Sequence, residues 1–154
     1  MIMADGNELM VHHRKRVLAL GDGADVWFKL QATSPFLRVE TVNLAVRCMR
    51  QFNWFDSLFT YVEVNDKFLW RDTEPLYREI GHGRTQDWPE MFISETHGIK
   101  AIRENALLRL GKTVGNRPFP LEVSGKEALD VDYESDLAQA EKHLYNEAKE
   151  DLAY

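Results

Sequence analysis

The chain has one cysteine, Cys48, among 154 residues. A lone thiol cannot close an internal disulfide, so the sequence predicts a fold held by its own core in a reducing, cytoplasmic setting. Long hydrophobic runs are missing too: nothing approaches the roughly 20 apolar residues that a membrane-spanning helix needs. The basic run His12-His13-Arg14-Lys15-Arg16 follows the apolar residues of the start, which is the reverse of a signal peptide. Asn-x-Ser/Thr acceptors, His-Glu-x-x-His and Cys-x-x-Cys are all absent, and so is any helix-turn-helix, zinc-finger or RNA-binding signature. Neither a metal nor a cofactor is therefore predicted.

What is present suits a soluble globular protein. At this length one domain can bury about 70% of its unfolded surface. Residues 1–10 show no periodicity and read as a disordered start, with a single α+β domain over 11–154. Arg16 to Leu20 and Asp25 to Leu30 flank Gly21-Asp22-Gly23, a combination that predicts a hairpin. Val42, Ala45, Val46, Met49 and Phe52 recur at helical spacing behind Thr41 and predict a helix over 42–55.

Leu58 to Val64 and Lys67 to Arg71, joined by Asn65-Asp66, suit a second hairpin in which Tyr61 would face Trp70. A short helix is expected from Thr73 to Ile80, a short strand at Met91 to Ser94, and a helix from Glu95 to Leu110 closed by Gly111. Beyond a loop at 112–120 comes a strand at Leu121 to Val123. A last helix over 134–153 carries Leu137, Ala140, Leu144, Ala148 and Leu152 in its stripe. The expected architecture is α+β: a mainly antiparallel sheet of two hairpins plus short strands, helices packed on one side, and an acidic C-terminal helix.

Chemistry-bearing motifs are sparse. Leu110-Gly111-Lys112-Thr113 ends like a phosphate-binding loop, but Ala106 stands where the motif needs its first glycine, so a helix C-terminus is the better reading. Ser94 and His97 are a serine and histidine three apart, and a serine before a helix is the expected cap. Arg14-Lys15-Arg16, with Arg47 and Arg50, could touch nucleic acid, although a chain of net charge −6 argues against direct binding.

Two regions are suited to partner contact. Residues 81–90 form a polar, turn-rich loop holding Arg84 and Trp88, with Tyr77 nearby, and Trp, Tyr and Arg dominate interface hot spots. From Leu121 to Tyr154, ten carboxylates stand against three lysines, and on a helix Glu141, Glu147, Glu150 and Asp151 would present a fixed acidic face. The sequence therefore favours a protein-binding adaptor or inhibitor, of a kind that phages and mobile elements encode, acting on a partner with a basic surface. It leaves the oligomeric state open.

One alternative rests on resemblance. Phe92-Ile93-Ser94-Glu95-Thr96 resembles the aromatic-x-Ser-x-Thr strand of ADP-ribosyltransferases, Leu76-Tyr77-Arg78 is similar to their arginine segment, and Asp132-Tyr133-Glu134 would stand for their catalytic pair. That resemblance implies an NAD-using transferase with Arg78, Ser94 and Glu134 at its centre.

Overall fold

The computed structural model describes residues 6–64, 70–71, 73–75 and 92–151. Its elements run α1 (Gly6–Ala19), β1 (Val26–Leu30), α2 (Val39–Gln51), β2 (Ser57–Val64), β3 (Trp70–Arg71), β4 (Glu74–Pro75), β5 (Phe92–Arg103), α3 (Glu104–Leu110), β6 (Pro118–Glu122) and α4 (Glu134–Asp151). This is an α+β fold. Its main sheet has the order β1-β5-β2-β6, and β3 and β4 form a separate two-stranded pair. β5 is antiparallel to both β1 and β2, while β2 and β6 are parallel, so β1, β2 and β6 point one way and β5 the other.

The helix over 6–19 replaces the first strand of the expected hairpin and includes residues 6–10 of the expected disordered start. Its inward face holds Met10, Val11 and Arg14, and the arginine hides the stripe from a reading of hydrophobicity. The αL tolerance of Gly21 (φ 86°) serves the end of this helix instead of a hairpin, with the Asp22 N–H donating to Val17 O at 3.3 Å.

α2 lies close to its predicted span but starts at Val39, and it buries Thr41, Ala45, Cys48 and Met49. Thr41 is inside the helix, not at its cap. Val46 and Phe52, expected in the stripe, are exposed. Arg103 finishes this helix: its guanidinium donates to the carbonyl of Met49 in the last turn and to those of Phe52 and Phe55 just beyond it.

The largest correction concerns residues 95–103, predicted as helix and found as the second half of β5. Thr96, Ile99 and Ile102 are β-branched, and Gly98 is a poor interior helix residue. Ile99 and Ala101 face α2, whereas Ile102 faces the opposite layer, so the strand is buried on both sides and shows no alternation to read. α3 keeps only Glu104–Leu110, ended as expected by Gly111 (φ 62°), whose N–H donates to Leu107 O at 2.8 Å.

Helices cover both faces of the sheet, not one. Ala45, Cys48 and Met49 of α2 pack with Leu58, Ile99, Ala101 and Leu121, while Met10 of α1 and Ala106 and Leu107 of α3 pack with Ile102. The first expected hairpin does not form, and in the second the described residues do not show the expected pairing of Tyr61 with Trp70. Trp70 pairs with Pro75, Tyr61 takes Glu95 and Glu122, and the 65–69 turn and most of the 73–80 helix lie outside the described residues. Pro118 and Pro120 are tolerated because β6 is an edge strand. With Val123 N–H donating to Tyr61 O, the period of two turns the proline nitrogens away from β2.

Candidate functional site

β1 and β6 run in one direction and end level with the middle of β2, which continues to Val64, and chain segments converge beyond the ends of the two shorter strands. In open sheets with parallel strands, ligands collect outside the carboxyl ends. The converging segments are the loop 31–38 after β1, residues 123–133 after β6, and a distortion of β5.

The distortion is a register shift. Phe59 pairs with Lys100 but Thr60 pairs with Thr96, so His97, Gly98 and Ile99 are extra residues on β5 relative to β2. Buried Thr60 holds the bulge. Its hydroxyl donates to Ile99 O (3.3 Å) while accepting the Ile99 N–H (3.1 Å) and the Thr96 hydroxyl (2.7 Å). Bulges re-aim side chains, and here His97 is turned outward, more than half exposed.

Asp130 joins the three segments. One of its oxygens accepts the Thr33 hydroxyl, and the other stands 3.9 Å from His97 Nδ1. The backbone adds two further ties: Gln31 N–H donates to Gly98 O at 3.1 Å and Val131 N–H to Thr33 O at 2.9 Å. Thr33, His97 and Asp130 are thus held by three different parts of the chain, beside exposed Asp132.

Behind them sits Glu127, 3% exposed. It accepts from the Thr41 hydroxyl (2.5 Å), the Arg38 amide (3.3 Å) and the Ser124 hydroxyl (3.3 Å), and pairs with the Arg38 guanidinium at 3.0 Å. Burial alone would push its carboxyl up, but the bonds from Thr41 and Arg38 outweigh that and hold it below the usual carboxylate range. This network fastens α2 to the 124–127 turn and makes the loop 31–38 a fixed wall.

Among the described residues no three His, Cys, Asp or Glu side chains gather to hold a metal ion. A cavity of about 400 Å³ lies beside the site, between α1 and the end of β1, lined by Leu9, Met10, His13, Phe28, Gln31 and Thr33 among others.

The residues singled out from sequence lie elsewhere. Tyr77, Arg78, Arg84 and Trp88 fall outside the described residues, as do the side chains of Glu150 and Asp151. Ser94 is an exposed residue of β5 opposite Val62, not a helix cap, and Glu134 opens α4. Glu141 is exposed, whereas Glu147 pairs with Lys126.

α4 docks through Ala140 of its expected stripe and through His143 outside it, and not through the described leucines of that stripe. Ala140 is buried and His143 meets the Phe36 ring edge at 5.7 Å, while Leu137 and Leu144 are more than half exposed. The first turn is closed by Asp136, which accepts the amides of Asp132 and Tyr133.

Sequence reading missed Thr33, His97, Asp130 and the Glu127 network as a joint site. The available signal was the polar run Gln31-Ala32-Thr33-Ser34 directly after an apolar strand, the place where α/β sheets put their ligands.

No helix among the described residues is long and apolar enough to cross a membrane. No family model matches the chain, and no curated protein matches it. Among solved structures, its fold is similar to that of CMP:2-keto-3-deoxy-manno-octonic acid synthetase complexed with CTP. The identity is 16% and the TM-score 0.59, over 94% of this chain and 70% of that one, and a likeness at such identity is one of fold.

Proposed function

We propose that this chain is a nucleotide-handling domain of the CMP-sugar synthetase type, which binds a cytidine nucleotide and a sugar acid at the Thr33–His97–Asp130 site. The observation that carries the reading is the convergence of three polar segments at the carboxyl ends of co-directional strands. The likeness of the fold to a synthetase complexed with CTP supports it. In this reading Asp130 and Asp132 accept hydroxyl groups of the ligand, and His97 and the Gln31 side chain supply donors.

Thermal unfolding with CTP, CMP and 2-keto-3-deoxy-manno-octonic acid, each with and without magnesium, tests it. A ligand at 100 times its dissociation constant adds about 2.7 kcal/mol and raises the midpoint, and His97→Ala/Asp130→Asn removes the gain. The reading is dropped if none of the three ligands moves the midpoint. NAD belongs in the same series, because a shift with NAD alone would favour the transferase alternative built on Ser94 and Glu134.

A second reading, a protein-binding adaptor, is favoured by one feature. α4 leaves Leu137, Leu144 and Tyr145 exposed beside Glu141. A partner with a basic, partly apolar surface would cover them, and its capture would fail with Glu141→Lys/Leu144→Glu.

A further inference from the structure

At the opposite end of the sheet, where β1 and β2 begin, three cavities run together. One of about 480 Å³ is bounded by Arg50, Asn53, Arg103 and Asn105 among others; one of about 220 Å³ shares Asn53, Arg103 and Asn105 and adds Arg109 and Arg117; one of about 280 Å³ shares Arg50 and adds Arg47. The shared residues make them one groove, with five arginines along its length.

Three carboxylates also line it, and two are occupied. Asp56 is buried under the amides of Asn116 and Arg117 and the Ser57 hydroxyl. Glu104 is taken by Arg14 and the Trp27 indole. Only Asp25 on the rim remains. Among the described residues none of the five arginines has a carboxylate within ion-pair distance, and Arg103 spends its hydrogen bonds on neutral carbonyls. Crowding uncompensated guanidinium groups costs repulsion, and a protein of net charge −6 has carboxylates enough to relieve it.

An aromatic platform stands at the same end. Trp54 is 69% exposed, with the Arg117 guanidinium 4.7 Å from its ring centre, and Phe52 is half exposed nearby. Arginines in a groove provide planar forks for phosphate oxygens, and an exposed indole gives a base a face to stack on.

We infer that this groove binds a single-stranded nucleic acid, with successive phosphates on Arg47, Arg50, Arg109 and Arg117 and a base on Trp54. The surface is distinct from the Thr33–His97–Asp130 site and does not rest on the function proposed there.

Fluorescence anisotropy of labelled 15-nucleotide oligo-dT and oligo-rU with the full chain tests the inference. Binding should weaken steeply with salt, and Arg47→Ala/Arg50→Ala should weaken it by at least about tenfold while reducing the salt slope by about 0.7 for each phosphate no longer neutralised. Trp54→Ala should weaken it by about tenfold with the slope unchanged. Lys15→Ala/Arg16→Ala, on α1 and outside the groove, should leave it unaltered. The inference is overturned if neither oligonucleotide binds at low salt. Equal weakening in the α1 variant, indifference to the groove variants, or displacement by pyrophosphate at phosphate-equivalent concentration would each overturn it as well. A CTP-induced thermal shift that survives in Arg47→Ala/Arg50→Ala, while oligonucleotide binding does not, would support two separate sites.

Discussion

The two ends of the sheet are built on the same device and finished in opposite ways. Each is anchored by a buried carboxylate whose pKa lies below its usual range, Glu127 at the carboxyl end and Asp56 at the amino end. For Asp56, burial again pushes the carboxyl up, and the amides of Arg117 and Asn116 and the Ser57 hydroxyl outweigh it. Glu127 recruits a cation, Arg38, so its charge is settled internally. Asp56 is satisfied mainly by backbone amides, with the Arg117 charge assisting from beyond ion-pair distance, and among the described residues none of the arginines around it forms an ion pair with it. The two anchors differ in partner: a cation joins the hydroxyl and amide at Glu127, whereas backbone amides and a hydroxyl hold Asp56.

The largest effect expected from breaking this comparison is at Asp56. Asp56→Ala takes the acceptor from the amides of Asn116 and Arg117 and from the buried Ser57 hydroxyl, and should lower the unfolding free energy by about 2–4 kcal/mol in urea titration. Gly115→Val should cost a similar amount, because a side chain there overlaps the Asp56 carboxylate.

Glu127→Ala comes next, at about 2–3 kcal/mol, since it leaves the Thr41 hydroxyl buried without an acceptor. Glu127→Gln sharpens the comparison through pH. Both carboxyls have folded pKa values below the unfolded ones, so their stabilisation is complete above the unfolded value of about 4 and is lost as pH falls through the folded value. Unfolding followed from about pH 7 to about pH 2 should therefore show a decline confined to acid. It should be shallower in Glu127→Gln and, separately, in Asp56→Asn. An unchanged acid slope in both variants would remove the anchor role.

His97→Ala should move stability by no more than about 0.5 kcal/mol, because an exposed pair at 3.9 Å contributes little. Under the proposed function its effect is expected on ligand binding instead. The smallest change is expected in Arg47→Ala/Arg50→Ala: no loss of stability, and at low salt a slight gain of less than about 0.5 kcal/mol as like-charge repulsion is relieved. A loss above about 1 kcal/mol, on the scale of a structural ion pair, would mean these arginines have intramolecular partners after all.

Legibility followed the range of the interactions. β2 was readable from Leu58 to Val64 and α2 from its 3.6-residue spacing, because each pattern is written in consecutive residues. β5 was not. Its residues are buried on both faces only because β1 and β2 flank it and helices cover each side, and without alternation the run from Glu95 to Arg103 looks like a helix. α1 was misread for a related reason, since one member of its inward face is Arg14, which becomes an interior residue only when Glu104 meets it from 90 positions away. At the candidate site the bulge depends on Thr60 gripping Ile99, and nothing local to His97 announces it.

The sequence by itself determined the α+β class, the existence of α2 near its place, the span of β2, the glycine-closed end of α3 and the acidic C-terminal helix, all features set by short-range periodicity, capping or charge count. Tertiary structure alone decided that Glu95 to Arg103 is a strand and that α4 docks through Ala140 and His143. It also brought Thr33, His97 and Asp130 together and left five arginines without carboxylate partners among the described residues along one groove. Those outcomes depend on which distant groups share a buried space, and packing and charge pairing across the sheet set that.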